Sequence, residues 1–286
     1  MELELPGGIA RFRFGGHSHR GTVRRLNEDS FLAALPLFVV ADGMGGHAFG
    51  DRASQAAVGA FEKAFDGTTH VTAQQVLATI HRANEAVLAV TSDSGAVSGT
   101  TLSGVAFVEI GPTDSHHWMA FNVGDSRIYS WDGRTLLQLS VDHSAVQELV
   151  DLGEITRLQA ATHPDRNIVT RALGADTVVD PDIWLLPARG RQTFLLCSDG
   201  LTKELSDDEI ARIIVFHGAE QVRESDGLPI SLAERLVSAA VAAGGSDNVT
   251  VVIVESDIVG SGSTSSEDTV DRDAMPGFLE ETKPRG

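Results

Sequence analysis

Two short apolar runs end in the same dipeptide, FVVADG at Asp42 and Gly43 and FLLCSDG at Asp199 and Gly200. A strand leaving a core delivers such a carboxylate to a sheet edge, and the neighbouring glycine lets the backbone turn and leaves its carbonyl open to a ligand. One isolated Asp-Gly reads as a turn. Two of them, each after a run with the character of a buried strand, read as a site. Asp247, in GGSDNVTVVIV, stands just before another apolar run, and Asp125, between FNV and RIYS, reads as part of a hairpin at a strand end. Carboxylates gathered at one place repel unless a divalent cation neutralises them, and their hard oxygens suit Mg²⁺ or Mn²⁺. Zinc would recruit His or Cys, and the ten histidines supply no HExxH pair.

Near the start, RRLNEDS supplies Arg24, Arg25, Glu28 and Asp29 ahead of a strand. An arginine fork binds two phosphate oxygens at once, and adjoining acids accept hydrogen bonds from metal-bound waters. Taken alone, the same cluster reads more readily as a surface ion-pair set, and its weight depends on the other motifs. Cys197 does not supply a thiol-phosphatase mechanism: that chemistry needs a phosphate-cradling loop closed by arginine, and Lys203, six positions on, closes none.

The elements that must position these groups alternate short β-branched runs with longer helical stretches. Strands are expected at 30–35, 37–41, 101–110, 117–123, 127–131, 193–197 and 249–255. Helical periodicity covers 52–65, 73–92, 144–152, 206–215 and 231–243, with Ser206 and the acids behind it forming a helix start. The turns at 123–126 and 131–133 favour hairpins, hence largely antiparallel sheets.

No apolar run approaches the ~18 to 20 residues of a membrane helix. The opening MELELPGGIARFRF lacks the basic start and apolar stretch of a signal peptide. A single cysteine forms no internal disulfide, so the expectation is a cytoplasmic protein from a reducing compartment. A formal charge of -18 argues against broad contact with nucleic acid or an anionic membrane. One domain over 1–256 is expected, followed at 257–286 by an acidic, Ser/Thr-containing disordered tail. Its Thr264, Ser265, Ser266 and Thr269 offer sites to a kinase or a phosphothreonine-reading domain, although an unmodified linker fits the composition better.

RRLNEDS, FVVADGMGGHAFGDRAS, SGTTL, NVGDSRIY, VDHS with NIVTRALG, FLLCSDG and GGSDNVTVVIV follow one another from Arg24 to Val254. In that order they resemble the bacterial branch of the type 2C, metal-dependent protein serine/threonine phosphatases. The resemblance implies an α+β fold, a central antiparallel β-sandwich flanked by helices in four layers (α-β-β-α), with a dinuclear site at one end. It implies that Asp42 bridges two Mn²⁺ or Mg²⁺ ions, that the Gly43 carbonyl binds one of them, and that Asp199 and Asp247 complete the coordination of the second ion. Asp125, helped by Asp199, matches a weaker third metal position. Arg24 matches the phosphate-binding arginine, Glu28 and Asp29 match groups behind the ligands, and SGTTL supports the site from the sheet. The implied reaction is direct hydrolysis of phosphoserine or phosphothreonine by a hydroxide shared between the metals, with no phosphoenzyme.

Many eukaryotic members of that family read Asp-Gly-His where this chain has Met44. The proton donor is therefore open, and His47 is the nearest substitute, the alternative being a histidine in a Gly-rich loop. Residues 143–171 resemble the family's variable flap beside the active site, where Arg157, His163 and Arg166 are candidates for contacting substrate. The implied partners are phosphorylated proteins, among them serine/threonine kinases and their substrates, met by a monomer. A narrower reading is a regulatory phosphatase for one phosphorylated partner. A catalytically inert phosphoprotein-binding module would show gaps among Asp42, Asp199 and Asp247, and the sequence has none.

Overall fold

The computed structural model describes residues 1–6, 8–45, 49–94, 98–111, 115–221 and 230–260. Its elements in chain order are β1 (Glu2–Leu5), β2 (Gly8–His19), β3 (Asp29–Ala34), β4 (Leu37–Gly45), α1 (Gly50–Phe65), α2 (Ala73–Ser94), β5 (Ser98–Thr100), β6 (Leu102–Ile110), β7 (Ser115–Val123), β8 (Arg127–Trp131), β9 (Leu136–Gln138), α3 (Ala145–Asp151), α4 (Arg157–Ala160), β10 (Asp182–Pro187), β11 (Gly190–Cys197), α5 (Asp199–Glu204), α6 (Asp207–Gln221), α7 (Leu232–Ala243) and β12 (Val249–Gly260).

Two antiparallel sheets follow. The first runs β1-β2-β12-β11-β8-β9, and the second β10-β7-β6-β4-β3, with β5 paired to the outer part of β4. Their facing sides hold Phe12, Phe38, Phe107, Trp118, Phe194 and Leu196. Edge-on aromatic contacts lock this layer, with the Phe12 and Phe107 centroids 5.1 Å apart and Phe107 and Trp118 5.2 Å apart. The outer face of the second sheet is covered by α1 and α2 through Phe61, Val76, Ile80 and Val87. The outer face of the first is covered by α5, α6 and α7 through Leu201, Ile210, Leu236 and Val237. The result is the four-layer α-β-β-α arrangement.

Two details position the site. β4 pairs with β6 as far as Val40 and with β5 from Gly43 onward, so the strand changes partners at Asp42. β7 and β8, expected to form a hairpin around Asp125, lie in different sheets: β7 pairs with β6 and β10, and β8 with β11 and β9. The short span from Val123 to Arg127 therefore crosses from one sheet to the other. Gly124 permits the crossing, since its φ is 108° and a Cβ there would lie 2.6 Å from Thr101 Cγ2. The last strand continues to Gly260, four residues past the composition change expected to open the tail. Residues 261–286 lie outside the described residues.

Candidate active site

A cavity of about 1010 Å³ opens where the two sheets meet, and Arg24, Glu28, Asp42, Gly43, Asp125, Asp199 and Asp247 all line it. Asp42 comes from β4 in the second sheet, and Asp125 from the inter-sheet crossing. Asp199 opens α5 behind β11, and Asp247 precedes β12, both belonging to the first sheet's side. Residues widely separated in sequence thus meet at one mouth.

The Asp42 backbone is gripped from SGTTL. Its N–H donates to Thr101 Oγ1 at 2.9 Å, and its carbonyl accepts from the Thr101 N–H and the Thr100 hydroxyl, both at 2.9 Å. Thr101 Oγ1 also meets Ser126 Oγ at 2.7 Å, which ties Asp42 to the Asp125 loop. Removing that oxygen with Thr101→Val should leave the fold intact while weakening metal affinity and kcat together, by roughly 10- to 100-fold. Mn²⁺ titrations followed by calorimetry and by turnover check it.

Neither Asp-Gly pair is a turn. Gly43 lies within β4, and Gly200 lies in α5. A Cβ on Gly43 would stand 2.1 Å from the Gly50 carbonyl oxygen, and one on Gly200 would stand 1.9 Å from that of Asn248. Close approach of two backbones, rather than a sharp bend, requires glycine beside each carboxylate.

Burial and neighbouring charge dominate the electrostatics. Asp42 forms no ion pair among the described residues, and burial, followed by Asp29, Asp199 and Asp125, holds its carboxyl well above the usual range. Burial likewise pushes Asp125 up to about 7, with Asp199 adding to the effect. Asp29 is also pushed up to about 7 by burial, although its Oδ2 accepts from Thr250 Oγ1 at 2.6 Å and Ser198 Oγ at 2.8 Å. Asp29 stands opposite Asp42 in the β3–β4 ladder. The buried oxygens Asp29 Oδ1 and Asp199 Oδ1 have no hydrogen-bond partner. Uncompensated hard oxygens of this kind fit a divalent cation.

As they stand, however, no three carboxylate, imidazole or thiolate groups among the described residues are close enough to enclose an ion. Cationic side chains lie between them. Lys203 Nζ contacts Asp199 Oδ2 at 2.5 Å and Asp247 Oδ2 at 2.7 Å. Arg24 grips Asp247 from the other side, Nε to Oδ1 at 2.8 Å and Nη2 to Oδ2 at 2.9 Å. Burial opposes ionisation of Asp247, but Lys203, the Asn248 N–H and Arg24 outweigh it and keep the carboxyl below the usual range.

The family described as Protein phosphatase 2C matches residues 16–237. The chain belongs to this family. It is 35% identical over 257 residues to the serine/threonine phosphatase stp of Listeria monocytogenes, covering 86% of this chain and 97% of that one. The crystal structure of the Mycobacterium tuberculosis serine/threonine phosphatase PstP/Ppp superposes with a TM-score of 0.71 at 34% identity, covering 85% of this chain and 98% of that chain. The catalytic domain of PstP in complex with two manganese ions gives a TM-score of 0.72 at 33% identity, covering 87% and 99%.

The Glu28 backbone is tied to the Asp42–Gly43 strand: its carbonyl accepts from the Gly43 N–H at 3.1 Å and the Ser54 hydroxyl at 2.6 Å. Of the flap candidates, Arg157 and Arg166 line the cavity. His163 does not; its Nδ1 faces Asp165, accepting from that residue's N–H at 3.2 Å. His47 lies outside the described residues. The flap is anchored at its root by a bridge between Ser144 and Val169, and Ser144 also caps α3 by accepting from the Gln147 N–H. The sequence reading passed over Lys203 as an ion partner because α5 went unrecognised. The usable signal was the Asp199 to Lys203 spacing of i to i+4, which places the pair on one helix face.

Proposed function

We propose that this protein is a Mn²⁺- or Mg²⁺-dependent serine/threonine phosphatase acting on phosphorylated proteins. Asp42, the Gly43 carbonyl, Asp199 and Asp247 would hold two ions, and Asp125 with Asp199 a weaker third. The observation that carries this reading is the meeting of hard-oxygen donors from both sheets on one cavity that Arg24 also lines. When bound, the ions supply Lewis acidity and a water made acidic enough to serve as nucleophile near neutral pH. Arg24 offers a fork for two oxygens of the phosphoryl group, meeting charge that grows during transfer. Glu28 and Asp29 orient the groups around the ligands, and His47 is the proposed proton donor to the leaving oxygen. Arg157 and Arg166 meet the protein substrate beside the phosphorylated residue.

Family membership and the relatives' activity support the reaction; the roles of individual residues follow from their positions. We assign the catalytic domain to the chain through β12, with the acidic segment beyond it as a tail. No helix among the described residues is long and apolar enough to cross a membrane. We place a monomer in the cytoplasm, reversing serine/threonine kinase signalling.

Hydrolysis of p-nitrophenyl phosphate and of a phosphothreonine peptide should require Mn²⁺ and stop on adding EDTA; undiminished turnover in EDTA overturns the proposal. Arg157→Ala with Arg166→Ala should raise KM for the phosphopeptide about tenfold, the scale of one or two lost charge-assisted hydrogen bonds, and leave p-nitrophenyl phosphate kinetics unchanged. A parallel loss on both substrates would remove these arginines from substrate recognition.

A further inference from the structure

Among the carboxylates of the cavity, positive charge is distributed unequally. Asp42 and Asp125 make no ion pair among the described residues, whereas Asp199 and Asp247 share one ammonium. That ammonium is held from both directions. α5 places Lys203 one turn beyond Asp199, and the segment before β12 brings Asp247 to its other side. The three side chains are largely withdrawn from solvent, at 30%, 18% and 14% exposure. Asp247 has little spare capacity. Oδ2 accepts from Lys203 Nζ and Arg24 Nη2, while Oδ1 accepts from the Asn248 N–H and lies 2.8 Å from Arg24 Nε.

We propose that Lys203 is a built-in counter-cation that occupies the Asp199–Asp247 half of the site in the metal-free protein and must withdraw before that half binds a divalent ion. The inference rests on the reading that Asp199 and Asp247 are metal ligands. Lys203 puts one charge between Asp199 Oδ2 and Asp247 Oδ2, oxygens that a dication would use, while Arg24 reaches Asp247 alone, so the folded apoprotein avoids the repulsion of two bare carboxylates. The Asp42 half has no such occupant. Loading is therefore stepwise: the first ion meets unneutralised oxygens, and the second must displace the ammonium. Lys203 sets the free-metal concentration at which the site is completed, which makes the enzyme responsive to divalent supply.

The test uses the full chain, stripped with EDTA, dialysed and titrated with Mn²⁺ in a calorimeter at constant pH, alongside melting curves with and without Mn²⁺. Displacing a charge-assisted contact costs about 1.5–3 kcal/mol, so Lys203→Gln should tighten the weaker Mn²⁺ event on the order of tenfold to a hundredfold. The same variant should melt several degrees lower without metal and gain more than the parent from Mn²⁺. Lys203→Arg retains the charge and should retain weak second-ion binding. A glutamine variant that binds Mn²⁺ no more tightly than the parent, or an arginine variant that tightens as much as glutamine, overturns the inference alone. Failure of both the parent and Lys203→Gln to take up Mn²⁺ overturns the metal-site reading and this inference with it.

Discussion

Asp42→Ala is expected to lower Mn²⁺-dependent hydrolysis of p-nitrophenyl phosphate on the order of 10³-fold while raising the melting temperature of the EDTA-stripped protein. The two effects share one cause. Asp42 is surrounded by Asp29, Asp125 and Asp199; among the described residues it makes no ion pair, and Lys203 offsets their charge only from a distance. Without metal its charge is a liability to the folded state, held in place by the backbone grip of Thr100 and Thr101. Deleting the carboxylate relieves repulsion, and each kcal/mol regained lifts the melting point by about 2–4 °C in a chain of this size. Deleting it also removes the group proposed to join the two ions, and losses of this order accompany removal of a preorganised electrostatic contact. Steady-state kinetics with saturating Mn²⁺ and calorimetric melts in EDTA check the two halves separately. A variant with normal turnover would remove Asp42 from the proposed ligand set.

Arg127→Ala should destabilise the protein by about 2–3 kcal/mol, somewhat less than breaking a fully buried pair, because it strands the Asp142 carboxylate, 11% exposed, without its cation. Arg127 Nε lies 3.0 Å from both oxygens of Asp142, and its Nη2 lies 2.7 Å from Asp142 Oδ2. Nη1 donates to Tyr129 Oη at 3.2 Å, and that hydroxyl donates to Asp207 Oδ1 at 2.9 Å. Gln138 Nε2 adds a bond to Asp142 Oδ1 at 2.9 Å. The network thus fastens β8, β9, the root of the flap and the start of α6 together. Urea melts of Arg127→Ala, Asp142→Asn and the double variant check it: the double variant should lose less than the sum of the singles, since each single leaves a partner unpaired. Additive losses would mean that the pair is not coupled.

Strands with uninterrupted apolar or β-branched character were legible in the sequence. The expected strand at 127–131 coincides with β8, and the expected helix at 231–243 differs from α7 only by its capping residue, Ser231. β2 was not anticipated, because its Gly15-Gly16 pair and the His-Ser-His that follows interrupt the alternation of Ala10 and Phe12. β10 was missed as well, a six-residue strand bounded by prolines. The candidate carboxylates were legible because each borders an apolar strand. Their immediate surroundings were not. The crossing at Asp125 has the length of a hairpin loop, and which sheet each flanking strand joins depends on partners distant in sequence. The cations that hold Asp247, Arg24 and Lys203, are 223 and 44 residues away from it, separations at which no local pattern operates.

Because Asp42 stands on a strand of one sheet while Asp199 follows and Asp247 precedes strands of the other, the gap between the two halves of the site is a gauge of how far apart the sheets ride. That separation, about 10 Å in packed sandwiches, is set by the rings of Phe12, Phe107, Trp118 and Phe194, none of which lines the cavity. Trimming one of these rings is expected to let the sheets settle together and so to change the distance between Asp42 and the Asp199–Asp247 pair, which makes the aromatic filling a shim between the two halves of the cavity.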